Sequence, residues 1–124
     1  MKISDAINRV DLLHPNSYSP DQKVEYLSKL DKLIKQNIID KHKDGENIVF
    51  DGYDMNTPFD TELLVPSPYD DIYVFWLQAW INFWNEEYDR YNSSISMYQS
   101  MYDAFYNDYH SKHMPKSATK MRYW

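Results

Sequence analysis

The chain contains no cysteine and only two glycines among its 124 residues. Absence of cysteine excludes disulfides and thiolate metal sites, and fits a reducing compartment. Two glycines leave few freely bending points. The opening MKISDAINRVDLLHP has no apolar core of the secretory type, so no signal segment is expected. Long hydrophobic runs are also missing. Ile72 to Trp84 is thirteen residues, interrupted by Gln78 and Asn82, whereas a membrane span needs about twenty. Basic residues are scarce where aromatics are dense: between Pro68 and Tyr109 only Arg90 stands against seven acids. A platform for stacking bases interleaves rings with Lys or Arg, so that role is excluded there. There is no GxSxG, P-loop, HExxH or dinucleotide fingerprint, and the Asp-rich patches at 51–54 and 70–71 lack EF-hand spacing. No residue qualifies as catalytic, metal-binding or cofactor-binding. The chain reads as a non-enzyme.

What is present is bulk and rings. Hydrophobic residues make up 43% and aromatics 17%, with 12 tyrosines, so the composition is that of a folded single domain. The formal net charge of −6 is unevenly spread. After His110 the segment SKHMPKSATKMRYW carries four bases and no acid, so the preceding residues hold −10. An acidic body repels phosphates over most of its surface.

Three helical segments follow from start and stop signals. The first spans about Ser4 to Leu13, with Ile3, Ala6, Ile7 and Val10 on one face and His14-Pro15 ending it. The second starts at SPDQ, with Ser19 as N-cap, Pro20 at the first helical position and Gln22 as capping-box partner. Its apolar face is Val24, Leu27, Leu30, Ile34 and Ile38. Lys41, His42 and Lys43 suit its C-terminal end, with Gly45 as the stop. Asn47 to Phe50 and Thr61 to Val65 are strand candidates, giving a small irregular hairpin over about 46–65. The third helix starts at SPYDD, with Ser67 as N-cap and Pro68 at the first position, and extends over 68–112. The expected fold is mainly α: a small bundle with one long C-terminal helix and two shorter N-terminal ones.

The long helix carries two apolar stripes. Val74, Leu77, Ile81, Trp84, Tyr88, Tyr91, Ile95, Tyr98, Tyr102, Phe105 and Tyr109 alternate three and four apart, an a/d seam. The phase survives Asn92-Ser93-Ser94, which predicts continuity or a mild kink at 92–94. Tyr73, Trp76, Trp80 and Phe83 form the second stripe. A helix apolar on two faces is covered on two sides. With so short a chain, the hairpin or a neighbouring subunit is expected to cover the second stripe, which makes those four residues the candidate subunit interface. Other constellations have simpler explanations. Asp70 and Asp71 sit where carboxylates favour a helix start, and His14 and His42 lie at helix C-termini. His110-x-x-His113 lacks a third ligand and reads as a solvated helix end.

The run from Thr61 to Lys116 resembles the small head-to-tail connector, or adaptor, proteins of long-tailed bacteriophages and prophages of Gram-positive hosts. The features that carry the resemblance are LLVP-x-PYDDIY, the set Glu87, Tyr91, Asn92 and Ser94, and the closing H-x-PK at His113, Pro115 and Lys116. DAINRVDLLHPNSYS, the KxxxLxxLD pattern from Lys23 to Asp31, and GENIVFDGY extend it over nearly the whole chain. No single motif is chemically diagnostic, and Trp76, Trp80 and Trp84 are heavier than the residues usual in that family. The resemblance implies a helical connector domain over 1–110 and a basic extended tail over 111–124. It implies a ring, usually dodecameric, beneath the portal protein and above a downstream stopper or tail-completion protein. The location implied is the virion neck, with host cytoplasm during assembly. DNA would pass through without specific binding, no membrane would be involved, and the family brings no catalytic residues.

In that setting the basic tail is expected to dock on the portal through Lys112, Met114, Pro115, Lys116, Lys120, Met121, Arg122, Tyr123 and Trp124, since Arg, Tyr and Trp commonly anchor interfaces. Two other classes compete. A small acidic helical regulatory or antitoxin-like module would be a stable dimer without affinity for portal rings. A nucleic-acid module acting through the tail alone would bind DNA with steep salt dependence.

Overall fold

The computed structural model describes residues 1–42 and 50–113. Among the described residues there are four α-helices: α1 (Ile3–Leu13), α2 (Pro20–Asn37), α3 (Ile72–Trp84) and α4 (Tyr88–Lys112). A short 3-10 turn at Ile39–Lys41 follows α2. The mainly helical bundle with a long C-terminal helix is as expected from the sequence. Its central element is α3, which packs against all three other α-helices. The sequence of α3, IYVFWLQAWINFW, is apolar nearly all round, and such a helix is stable only when surrounded.

The N-terminal pair forms as its signals dictate. Ile3, Ala6, Ile7 and Val10 of α1 are buried, and the Asp5 carboxylate accepts from the Lys2 backbone N–H at 3.1 Å. At the start of α2 the Ser19 hydroxyl accepts from the Gln22 N–H at 3.3 Å, with Pro20 at the first helical position. Val24, Leu27, Leu30 and Ile34 are buried, followed by Ile38. Lys23 lies on the same buried face. Its ammonium reaches the Asp11 carboxylate at 2.7 Å and the Tyr18 carbonyl at 3.1 Å, tying α2 to the end of α1. The helix stops at Asn37, earlier than expected, and Gly45 lies outside the described residues.

The expected β-hairpin over 46–65 is corrected in its second arm. Residues 47–49 lie outside the described set. Phe50 and Thr61–Val65 are not strand, and Glu62 makes an isolated antiparallel bridge to Lys2. Leu64 and Val65 are bends, and the polar groups of Thr61–Val65 go elsewhere. Ile3 N–H donates to the Thr61 carbonyl at 3.1 Å and Leu63 N–H to the Met1 carbonyl at 2.9 Å. Leu64 and Val65 N–H donate to the side chains of Asp31 and Tyr73. With those donors used, no ladder propagates.

The start of α3 also differs. Residues 66–71 form turns, the Ser67–Pro68 peptide is cis, and the helix begins at Ile72 with Asp71 at the N-cap. Ser67 is therefore not the cap.

The largest correction concerns continuity. No single helix spans 68–112, and Asn92-Ser93-Ser94 lies inside α4 without a break. The chain turns at 85–87 instead. Glu86 adopts a left-handed φ of 60°; its N–H donates to the Phe83 carbonyl at 3.0 Å, and Glu87 N–H donates to the Asn82 carbonyl at 2.8 Å. These paired bonds form a Schellman stop, in which glycine is the usual left-handed residue. The helix α4 then returns antiparallel along α3: Phe83 meets Tyr91, Trp76 meets Tyr98, and Tyr69 meets Phe105. The a/d seam is real on α4, where Tyr98, Phe105 and Tyr109 are buried, but it faces α3 instead of continuing it.

Glu86 is exposed, and its left-handed backbone carries a steric cost that glycine avoids. Replacing Glu86→Gly should raise unfolding stability by roughly 0.5–1 kcal/mol in urea titration, after allowance for glycine's larger unfolded-state entropy. A stability loss would mean that the side chain, not the backbone, holds the turn.

Candidate interaction surface

The four residues of the second stripe have different fates. Tyr73 is 0% exposed and Trp76 only 8%. Neither is available to a neighbouring subunit: Tyr98 of α4 and Tyr26 of α2 cover Trp76, while Asp31 of α2 and the 64–65 backbone enclose Tyr73. The Trp76 indole N–H donates to the Tyr26 carbonyl of α2 at 2.8 Å, and its ring lies 5.6 Å from Trp80 and 4.9 Å from Tyr98.

Tyr73 belongs to a buried polar knot. Its hydroxyl donates to Asp31 at 2.6 Å and accepts from Val65 N–H at 2.7 Å. The other Asp31 oxygen accepts from the Tyr53 hydroxyl at 2.5 Å and from Leu64 N–H at 3.1 Å. One carboxylate thus joins α2, α3 and the 50–66 segment. Burial pushes the Asp31 pKa above its ordinary value; the Tyr53, Tyr73 and Leu64 donors pull it down without cancelling that. Burial, then the Asp31 charge, drives the Tyr73 and Tyr53 hydroxyls well above the usual phenol range.

The outer half of the stripe remains accessible. Trp80 is half-buried against Tyr26 and Tyr91, and its indole N–H is buried with no acceptor among the described residues. Phe83 is 44% exposed. It lies 5.5 Å from Tyr91 and 6.0 Å from Tyr88, which is also exposed. Phe83, Tyr88 and Tyr91 therefore form an aromatic tip at the α3–α4 turn, backed by Trp80. Glu86, Glu87 and Asp89 fringe it, and Arg90 pairs with Glu87 at 3.4 Å. In the sequence Tyr88 and Tyr91 read as members of the seam. Only the turn at 85–87, which carries no glycine or proline, brings them beside Phe83.

Lys112, in the last turn of α4, pairs with Asp108 at 3.2 Å. Met114, Pro115, Lys116, Lys120, Met121, Arg122, Tyr123 and Trp124 lie outside the described residues. Asp71 occupies the N-cap position, but it makes no side-chain capping bond and pairs with Arg9 at 3.2 Å. His110 is not simply solvated. His42, buried beyond α2, approaches its Nδ1 through Nε2 at 3.2 Å, while His42 Nδ1 contacts the Ile38 carbonyl at 2.6 Å. His113 stacks on Tyr109 at 3.8 Å. Among the described residues no group of three or more His, Cys, Asp or Glu is arranged to hold a metal. No helix among them is long and apolar enough to cross a membrane.

Comparison with protein-family models, curated proteins and solved structures finds no match.

The Asp31 knot yields a signed pH prediction. A carboxyl whose folded pKa is raised binds its proton more readily when folded. Its stabilising contribution is full below the unfolded value near 3.8 and is lost as pH rises through the raised folded value. Asp31→Asn should remove that slope from urea-unfolding curves measured across pH. It should also cost about 1–3 kcal/mol, because the amide NH2 must face a group that already donates. An unchanged slope in the variant would locate the pH dependence elsewhere.

Proposed function

We propose that this chain is a head–tail connector subunit of a long-tailed bacteriophage or prophage. It would form a ring below the portal that continues the DNA channel toward a stopper or tail-completion protein. The observation that carries the proposal is the aromatic tip of Phe83, Tyr88 and Tyr91. Phe83 and Tyr88 are exposed and Tyr91 is half-buried, on an acidic, mainly helical body, and contacts between subunits favour such side chains. The ordered motif resemblance supports the family, while the fold supports only a helical building block.

In this proposal the subunit interface contracts from Tyr73, Trp76, Trp80 and Phe83 to the tip, with Trp80 as its backing. The acidic body suits a channel wall, since carboxylates repel passing phosphates and leave DNA free to slide. The basic 114–124 segment, with Tyr123 and Trp124, provides the portal-docking element. Assembly would occur in the host cytoplasm, and the finished ring would reside in the virion neck.

Purified protein mixed with the cognate portal should give particles with a second stacked ring in electron micrographs. Phe83→Asp should keep the monomer folded, because the ring is partly exposed, and abolish ring closure. Rings from the variant would remove the tip from the interface. A stable dimer that ignores portal would favour the regulatory-module class. Deleting 114–124 should leave a folded chain that no longer sediments with portal; retained binding would refute a docking role for that segment.

A further inference from the structure

Lys32 is exposed on α2 and makes no ion pair or hydrogen bond among the described residues. Its stem lies across Gly52, one of the chain's two glycines. Gly52 has a φ of 101°, and a Cβ there would come within 2.6 Å of Lys32 Cε and 2.8 Å of the Ser28 hydroxyl. The absent side chain is what makes room for the lysine. Lys32 borders a cleft of about 360 Å³ between α2 and residues 53–55. Val24, Ser28 and Tyr53 form its buried floor, and Met55, 49% exposed, stands at its edge. Asp21, Glu25, Lys29 and Asp54 complete the lining. Lys29 pairs with Glu25 at 3.8 Å, and the Asp54 carboxylate accepts from the Asn56 N–H at 2.8 Å. Lys32 is therefore the base of this cleft that an outside acid can engage.

Glu86, at the aromatic tip, is the complementary case. It is exposed, its carboxylate has no partner among the described residues, and its backbone holds a left-handed position that glycine occupies without steric cost. A strained backbone at a side chain the fold leaves unused points to a role outside the chain. We propose that the cleft at Lys32 receives the aromatic tip of a second copy of this chain, with the Phe83 ring against Met55 and the Glu86 carboxylate on the Lys32 ammonium. The inference rests on the tip being a contact between copies, and it names the surface that the tip meets. Charge selects that surface. The tip is fringed by acids, and Lys32 offers it an uncommitted base beside Met55 and beside Leu33, which is 41% exposed. Leu12 and Leu13 are exposed too, but Arg9 of their helix is held by Asp71, and Lys23 by Asp11. Tip and cleft are different surfaces, so every copy has one of each to offer, as a heterologous contact requires.

A carbodiimide joins only carboxylates and amines already in contact. Applied to an equal mixture of isotope-labelled and unlabelled full-length chain, it should yield a Glu86–Lys32 link between a labelled and an unlabelled copy. Lys32→Glu and Glu86→Lys should each weaken self-association about tenfold or more in sedimentation, because like charges then face each other. Mixing the two variants should restore association, since every contact again joins opposite charges. Glu86→Gly should weaken association with no loss of folding stability, which separates this role from that of the turn. Absence of the Glu86–Lys32 link, or single variants that associate like the parent chain, overturns the proposal. Rings on portal that are indifferent to Lys32→Glu would remove this contact and leave the connector role standing. A Glu86–Lys32 link in chains that ignore portal would keep the contact and remove that role.

Discussion

A helix with almost no polar face must be enclosed, and the rest of this structure follows from enclosing α3. Three neighbours share the task. Residues of α1 take one side, Tyr18 and Tyr26 clasp Trp84 from the α2 side at 4.9 Å each, and α4 closes the remainder. In a chain this size there is no spare element to cover one long rod on all sides. Folding the rod back on itself brings the missing cover from within, and the Schellman turn at Glu86 makes this possible without glycine. Burial of large rings supplies the gain, at about 25 cal/mol per Å² of apolar surface removed from water.

Enclosure by apolar packing alone would leave the irregular 50–66 segment with little to fix it. Asp31 resolves that. Its carboxylate gathers two phenols and a backbone N–H, and through Tyr73 it also engages Val65 N–H. The segment is thereby held against α2 and α3 by directional bonds, which a flat apolar contact cannot provide. Burying the charge opposes this gain, as the raised pKa records. Removing one partner is therefore more damaging than the net worth of the knot implies, because the remaining polar groups stay buried and unmatched.

The sequence disclosed faces better than it disclosed connections. Periodicity identified the buried sides of α1 and α2 and the inward side of α4, because side-chain repeat is a local property. The helix boundary at 85–87 was hidden: Asn-Glu-Glu carries no breaker residue, and the three-four spacing passes through it in phase. Asn92-Ser93-Ser94 looks weak locally, but there the unbroken phase was the better guide: the helix runs through, and the Asn82 amide of α3 donates to the Ser94 hydroxyl. Ser67-Pro68 promised a helix start that the chain postpones to Ile72. The interface stripe was half legible. Its four residues do share a face, but the burial of Trp76 depends on the fold-back of α4 and that of Tyr73 on the Asp31 knot. Asp31 was the residue most open to discovery, because it sits among Leu27, Leu30 and Ile34 on the buried stripe, where a carboxylate requires donors from elsewhere.

The tip also bears on the symmetry of assembly. A ring needs a heterologous contact, in which one surface meets a different surface of the next subunit, whereas tip-on-tip pairing gives only a closed two-fold dimer. Phe83, Tyr88 and Tyr91 are fringed by Glu86, Glu87 and Asp89, with Arg90 already engaged by Glu87. Two tips brought face to face would set these carboxylates against each other as water is excluded, and like charges in that position oppose association. Apolar attraction therefore draws the tip toward a partner while its charge fringe disfavours a second tip as that partner. A surface richer in base satisfies both terms. This combination of adhesive rings and self-repelling rim is the physical reason to prefer ring-forming contacts over a two-fold dimer in the proposed role.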